Sequence, residues 1–127
     1  MNSHHETAYA KARGLGAAGH ATGHWRAQRI SAIALVPLAL WLALALFGGV
    51  AADRAALTAW LRQPVNMILM ILLLLAAFHH VALGLQVVAE DYIHTRARFA
   101  AIALIQLLCV AGAAVGIVAT LTMALTG

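Results

Sequence analysis

Apolar positions in this chain fall into three long runs separated by short polar stretches, rather than recurring at the period of a surface helix or a strand. Ile30 to Gly48, Val65 to Val88 and Phe99 to Leu125 each approach or exceed the roughly 20 residues a helix needs to cross a hydrocarbon layer of about 30 Å. Runs of this length predict helices and not the short alternating strands of a membrane barrel. Pro64 stands at the start of the second run, where its missing N–H costs nothing, and Pro37 predicts a mild kink in the first. The short connections make each helix antiparallel to the next. The expected fold class is an all-α membrane protein with three transmembrane helices, divided into a tail (residues 1–28) and a three-helix membrane domain (residues 29–127) with spans near 30–48, 65–88 and 99–125.

The polar stretches carry their own expectations. Between the first two runs, Asp53 is placed to cap a short helix from Arg54 to Arg62, with Leu57, Trp60 and Leu61 on one side dipping into the membrane interface. Gly14 to Gly23 is rich in Gly and Ala and is expected to lack regular structure until it reaches the membrane or a partner. Met1 to Gln28 is polar and has no apolar centre, so it does not read as a secretory signal.

Composition fixes the solvent. Of 127 residues, 64% are hydrophobic and 9% charged, and the mean hydropathy is +0.90. Such a chain has too few polar groups to cover a water-soluble globule, and its length allows one domain at most. The net charge of +4 does not point to nucleic acid, because no basic run is interleaved with aromatics. Its distribution points to topology instead. Lys11, Arg13, Arg26, Arg29, Arg96 and Arg98 fall on one side of the spans, and Arg54 and Arg62 on the other. The positive-inside rule then places the N-terminus and the second loop in the cytoplasm or its equivalent and the C-terminus outside. Trp25, Trp60 and Tyr92 fall near the expected interfaces. The single cysteine, Cys109, has no partner for an intrachain disulfide and reads as a packing residue. No internal repeat, Walker-type loop, CxxC or GxGxxG is present.

The chemistry-bearing stretch is Phe78-His79-His80-Val81-Ala82-Leu83-Gly84, followed by Glu90-Asp91-Tyr92. The two histidines lie deep in the second span, where ionisable residues are expensive and functional by default. On a helix they point about 100° apart and do not serve one site in the same way. His80 is expected to share its face with Ala76, Ala77 and Gly84, residues small enough to admit a flat macrocycle or a close helix. Position alone leaves three readings open: an axial ligand for haem iron, a hydrogen bond between helices, or a proton relay. If haem is bound, its second histidine must come from another subunit, because His20, His24 and His94 lie outside the spans.

Asp91 follows His80 by eleven residues, which puts the two about 20° apart on the helix, and Tyr92 brings a phenol to the membrane boundary. A phenolic O–H suits a quinone carbonyl; an interfacial anchor is the plainer reading. Arg29 and Ser31 sit at the entrance of the first span, where the guanidinium either pairs with a carboxylate such as a haem propionate or only sets topology. Gly112 and Gly116, flanked by Ala111, Ala113 and Ala114, make a GxxxG pair suited to close helix packing, and Gln106 is placed to bond across the bundle.

Taken together, His80-x-x-x-Gly84, the later Asp91-Tyr92 and an Arg-x-Ser at the start of the first span resemble the small hydrophobic membrane anchors of succinate dehydrogenase, respiratory complex II, and the D-type anchor more than its cytochrome b (C-type) partner. The resemblance runs from His24 onward, and the spacing from His to Asp-Tyr is its specific part. It implies that His80 is one axial ligand of a b-type haem shared with the C-type anchor. Tyr92 would hydrogen-bond ubiquinone and Asp91 would support it. Arg29 would lie near a haem propionate or the quinone, with His24 a lesser candidate there. The spacing and Gly84 favour His80 over His79 as the ligand. The implied role is electron transfer: a flavoprotein subunit oxidises succinate, an iron–sulfur subunit carries the electrons, and no residue of this chain is catalytic by itself. The competing class is a non-redox three-helix protein, a transporter or assembly subunit, whose histidines relay protons or bond helices.

Overall fold

The computed structural model describes residues 16–127, with side chains from Thr22 onward. Lys11 and Arg13 lie outside the described residues. Four helices follow in order: α1 (Gly16–Phe47), α2 (Arg54–Leu61), α3 (Pro64–Tyr92) and α4 (Ala97–Thr126). Three stretches, Thr22–Phe47, Pro64–Tyr92 and Ala97–Thr126, are long and apolar enough to cross a membrane. They take in the three runs of the sequence except Gly48, which already belongs to the turn after α1, and no strand occurs among the described residues.

Local chemistry sets the ends. Pro64 occupies the first turn of α3, and Asp53 caps α2 by accepting the Ala56 N–H at 2.7 Å. Pro37 lies inside α1, which continues through it. At the end of α1 the chain turns at Gly49, whose φ of +86° is a conformation that side-chain-bearing residues rarely adopt. Helix α1 begins earlier than the local composition suggests, since Gly16 to Gly23 is helical rather than irregular. Ala17, Ala18 and Ala21 are strong helix formers, and they extend a helix already nucleated by the span, which offsets the cost of about 1 kcal/mol per glycine.

Packing centres on α3. Helix α1 lies against one of its sides and α4 against the other, while α2 folds across the end of α3 and α4 remote from Arg26 and Arg98. Gly112 and Gly116 are where α4 comes closest, with the Phe78 ring over the first and Leu74 over the second. The GxxxG pair therefore makes the close approach its composition suggests. Helix α2 faces the bundle more than the interface: Thr58 and Leu61 are buried, and Trp60 stacks on Trp41 of α1 with ring centroids 5.0 Å apart. Asn66 ties the same corner together, donating to the Trp60 carbonyl at 3.0 Å and to Gln63 at 3.1 Å. An amphipathic helix of eight residues hides its apolar side best against other helices when they are within reach. No large side chain among the described residues is fully buried, so most of the apolar surface looks outward.

Candidate functional site

The α1–α3 seam separates the adjacent histidines. His80 turns towards α1 and, with Trp25, Gln28, Arg29 and Ala32, lines a groove of about 290 Å³ on one side of the seam. His79 lies on the other side, where it meets Ala27, Ile30, Ser31, Ala34 and Ala76 along an apolar groove of about 740 Å³. Ala76, three positions before His79 and four before His80, lines the groove on the His79 side. Ala77 and Gly84 are half-buried.

His80 is held by a hydrogen bond that spans 49 residues of sequence: its Nδ1 lies 3.0 Å from the Ser31 hydroxyl. Ser31 is buried, at 6% exposure, and donates its one proton to the Gln28 carbonyl at 2.9 Å. Its oxygen is then left to accept, so the imidazole must carry its proton on Nδ1. In the opposite tautomer, the Ser31 proton would turn to the ring and leave two oxygen lone pairs facing each other. The tautomer that satisfies both contacts leaves Nε2 with a free lone pair.

His79 makes no hydrogen bond among the described residues. It reaches a second cavity, of about 370 Å³, between α3 and α4, together with Phe78, Gln86, Gln106 and Cys109. There Gln106 donates to Gln86 at 3.4 Å, a long contact, and Gln86 donates to Glu90 at 2.9 Å. Gln106 bonds across the helices as its position suggests, and Cys109 is buried and free.

The remaining candidates gather at the end of α1 and α3 that carries the arginines. Arg29 lies over the Trp25 ring, with Cζ 4.8 Å from its centroid, and both line the His80 groove. His24, one turn before Gln28 on α1, has a buried Nε2 with no hydrogen-bond partner. Tyr92 ends α3 and is 82% exposed. Asp91 beside it is exposed too. Neither is drawn into the groove by a contact within this chain.

These residues suit a haem. A metal-binding histidine commonly donates its second ring N–H to a nearby acceptor, which fixes tautomer and orientation. His80 has that acceptor and His79 does not. A Cβ added at Gly84 would meet only the Gln28 amide nitrogen, at 3.9 Å, an ordinary contact that leaves room for a small side chain there. The Arg29 guanidinium and the unpartnered His24 Nε2 lie towards the same end and suit the carboxylates of a propionate. This chain offers a single histidine to the groove, so a second ligand to such a group would come from another chain. The Ser31–His80 bond has no local sequence signal. Only the antiparallel register of two spans places them level.

The transmembrane-subunit family of succinate dehydrogenase and fumarate reductase matches residues 3–119. Two relatives are both named succinate dehydrogenase hydrophobic membrane anchor subunit. The one from Rickettsia bellii is 37% identical over 83 residues, covering 65% of this chain and 66% of its own length. The other, from Rickettsia conorii, is 30% identical over 102 residues, covering 79% of this chain and 81% of its own. No solved structure matches with comparable significance. The family match takes in all of α1 and α3 and most of α4, including every groove residue named above, and the chain belongs to the succinate dehydrogenase/fumarate reductase transmembrane subunit family.

Proposed function

We propose that this chain is the D-type anchor of a succinate:ubiquinone oxidoreductase, holding a flavoprotein and an iron–sulfur subunit on a bacterial inner membrane beside a C-type anchor. The hydrogen bond from His80 Nδ1 to Ser31 carries the reading, because it commits one ring nitrogen and leaves the other without a partner in this chain, beside an open groove within a span. His80 would give one axial ligand to a b-type haem, and the C-type anchor the other. Bound there, the haem supplies a one-electron redox centre inside the membrane.

The rest of the chain positions and excludes. Arg29, held against Trp25, offers a charge-assisted contact to a propionate or to the quinone region. His24 offers a further ring nitrogen at the same end. Tyr92 presents its phenol at the boundary, where the head of ubiquinone arrives from the lipid, and donates to a carbonyl oxygen. Asp91 supports that group from the neighbouring position. The excess of arginine puts this end in the cytoplasm, the side on which the soluble subunits would dock.

The test is a redox-difference spectrum of the purified complex, with its subunits identified. A b-type band that disappears in His80→Ala and survives in His79→Ala is expected, along with co-purifying flavoprotein, iron–sulfur and second anchor subunits. A band lost in His79→Ala and kept in His80→Ala would overturn the ligand assignment. A complex without those soluble subunits would overturn the function.

A further inference from the structure

We infer that Ser31 is a positioning residue for the iron-binding histidine: its buried hydroxyl fixes the tautomer of His80 and tunes how strongly that ring donates to the metal. The inference rests on the haem reading above and adds to it a residue that sets the behaviour of the centre without touching it.

The argument is local. Ser31 has one proton, and Gln28 takes it at 2.9 Å. The contact to Nδ1 at 3.0 Å is then an N–H donated by the ring. At 6% exposure, Ser31 is largely screened, which strengthens both of its hydrogen bonds. A ring that donates from Nδ1 carries more electron density at Nε2, and that density favours the ferric over the ferrous state of a bound haem. The Gln28 carbonyl strengthens this chain of hydrogen bonds, since a hydroxyl that donates is a better acceptor. The alternative role for a serine in a span is to cap its own helix carbonyl and pack. That role uses the Gln28 bond alone and would not reach the metal.

Removing the hydroxyl separates the two. In Ser31→Ala the smaller side chain fits the same space and α1 keeps its helix, but Nδ1–H loses its acceptor. Support groups of this kind are worth roughly tenfold or more in metal affinity. A tenfold loss of ferric preference corresponds to about 59 mV for a one-electron couple. The experiment is potentiometric titration of the haem in the assembled complex, with electron paramagnetic resonance of the ferric state and haem content per complex.

Ser31→Ala is expected to raise the midpoint potential by tens of millivolts and to shift the low-spin g values. Ser31→Thr, which keeps the hydroxyl, should stay near wild type. Ser31→Cys keeps the shape with a weak acceptor and should fall between; it decides the matter if Ser31→Ala does not assemble. Potential and g values unchanged in Ser31→Ala, or in Ser31→Cys, would overturn the inference while a haem lost in His80→Ala left the ligand assignment standing. A haem kept in His80→Ala would instead remove the reading on which it rests.

Discussion

Adding one methyl group at Gly112 tests the packing that holds the histidine-bearing helix in place. A Cβ built there comes 2.5 Å from Phe78 Cε1, 2.8 Å from Cζ and 3.3 Å from Cδ1. Carbon atoms prefer separations of about 3.5–4.0 Å, so the ring has to move by roughly 1 Å or the helices have to part. Overpacking of this kind costs about 1–3 kcal/mol. Alanine regains about 0.5–1 kcal/mol of helix propensity over glycine, which leaves a net loss of about 0.5–2 kcal/mol. Gly116→Ala is the internal control. Its Cβ meets two Leu74 methyl carbons at 3.1 Å, which calls for a shift of only a few tenths of an ångström, so propensity and strain nearly cancel. Reversible unfolding in mixed micelles, followed by circular dichroism, should therefore rank Gly112→Ala well below Gly116→Ala and wild type. In a Phe78→Leu background, the Gly112→Ala penalty should vanish or reverse, giving a coupling energy of about 1–2 kcal/mol. Equal costs for Gly112→Ala in both backgrounds, or no difference from Gly116→Ala, would refute the contact as the source of the packing.

Three further outcomes are expected. Tyr92→Phe should lower quinone reduction about tenfold, the worth of one hydrogen bond to a carbonyl, while succinate oxidation by a soluble dye acceptor holds; equal loss of both would signal failed assembly. Gly84→Ala should leave the packing of this chain intact, because the new Cβ finds only Gln28 Nε2 at 3.9 Å, yet lower haem content as measured by pyridine haemochrome; full haem content would mean that nothing outside this chain approaches Gly84. Ala51→Cys and Thr95→Cys, each in a Cys109→Ala background, should label from opposite sides of sealed vesicles with an impermeant maleimide, Thr95→Cys from the cytoplasmic side; labelling from the same side would contradict the three-span topology.

Much of the fold was legible because one-dimensional signals carry it. Run length marks the three spans, Asp53 announces the start of α2, and the GxxxG pair announces where α4 touches α3. Signals that depend on register between helices were out of reach. The Ser31–His80 bond and the Trp41–Trp60 stack join residues far apart in sequence, and their pairing is settled only when antiparallel helices choose a vertical offset. Local composition also misled in two places. The Gly/Ala stretch before Thr22 reads as irregular in isolation but continues a helix nucleated downstream. Leu61 reads as an interfacial residue but is buried against the bundle. For the candidate site, the spacing to Asp91-Tyr92 that singles out His80 comes from the resemblance, and the Ser31 contact that distinguishes its ring from that of His79 has no signal in the local sequence.

The division of the two histidines by the α1–α3 seam also makes position 79 useful as an observation post. A side chain there is one peptide bond from the proposed iron ligand in the chain but turns into a different groove. A nitroxide or fluorine probe at residue 79 would ride on the same turn of helix without standing between the ring and its metal. Distances from that probe to the haem would report the rotation of α3 about its own axis, the one rigid-body coordinate that decides which imidazole faces the partner.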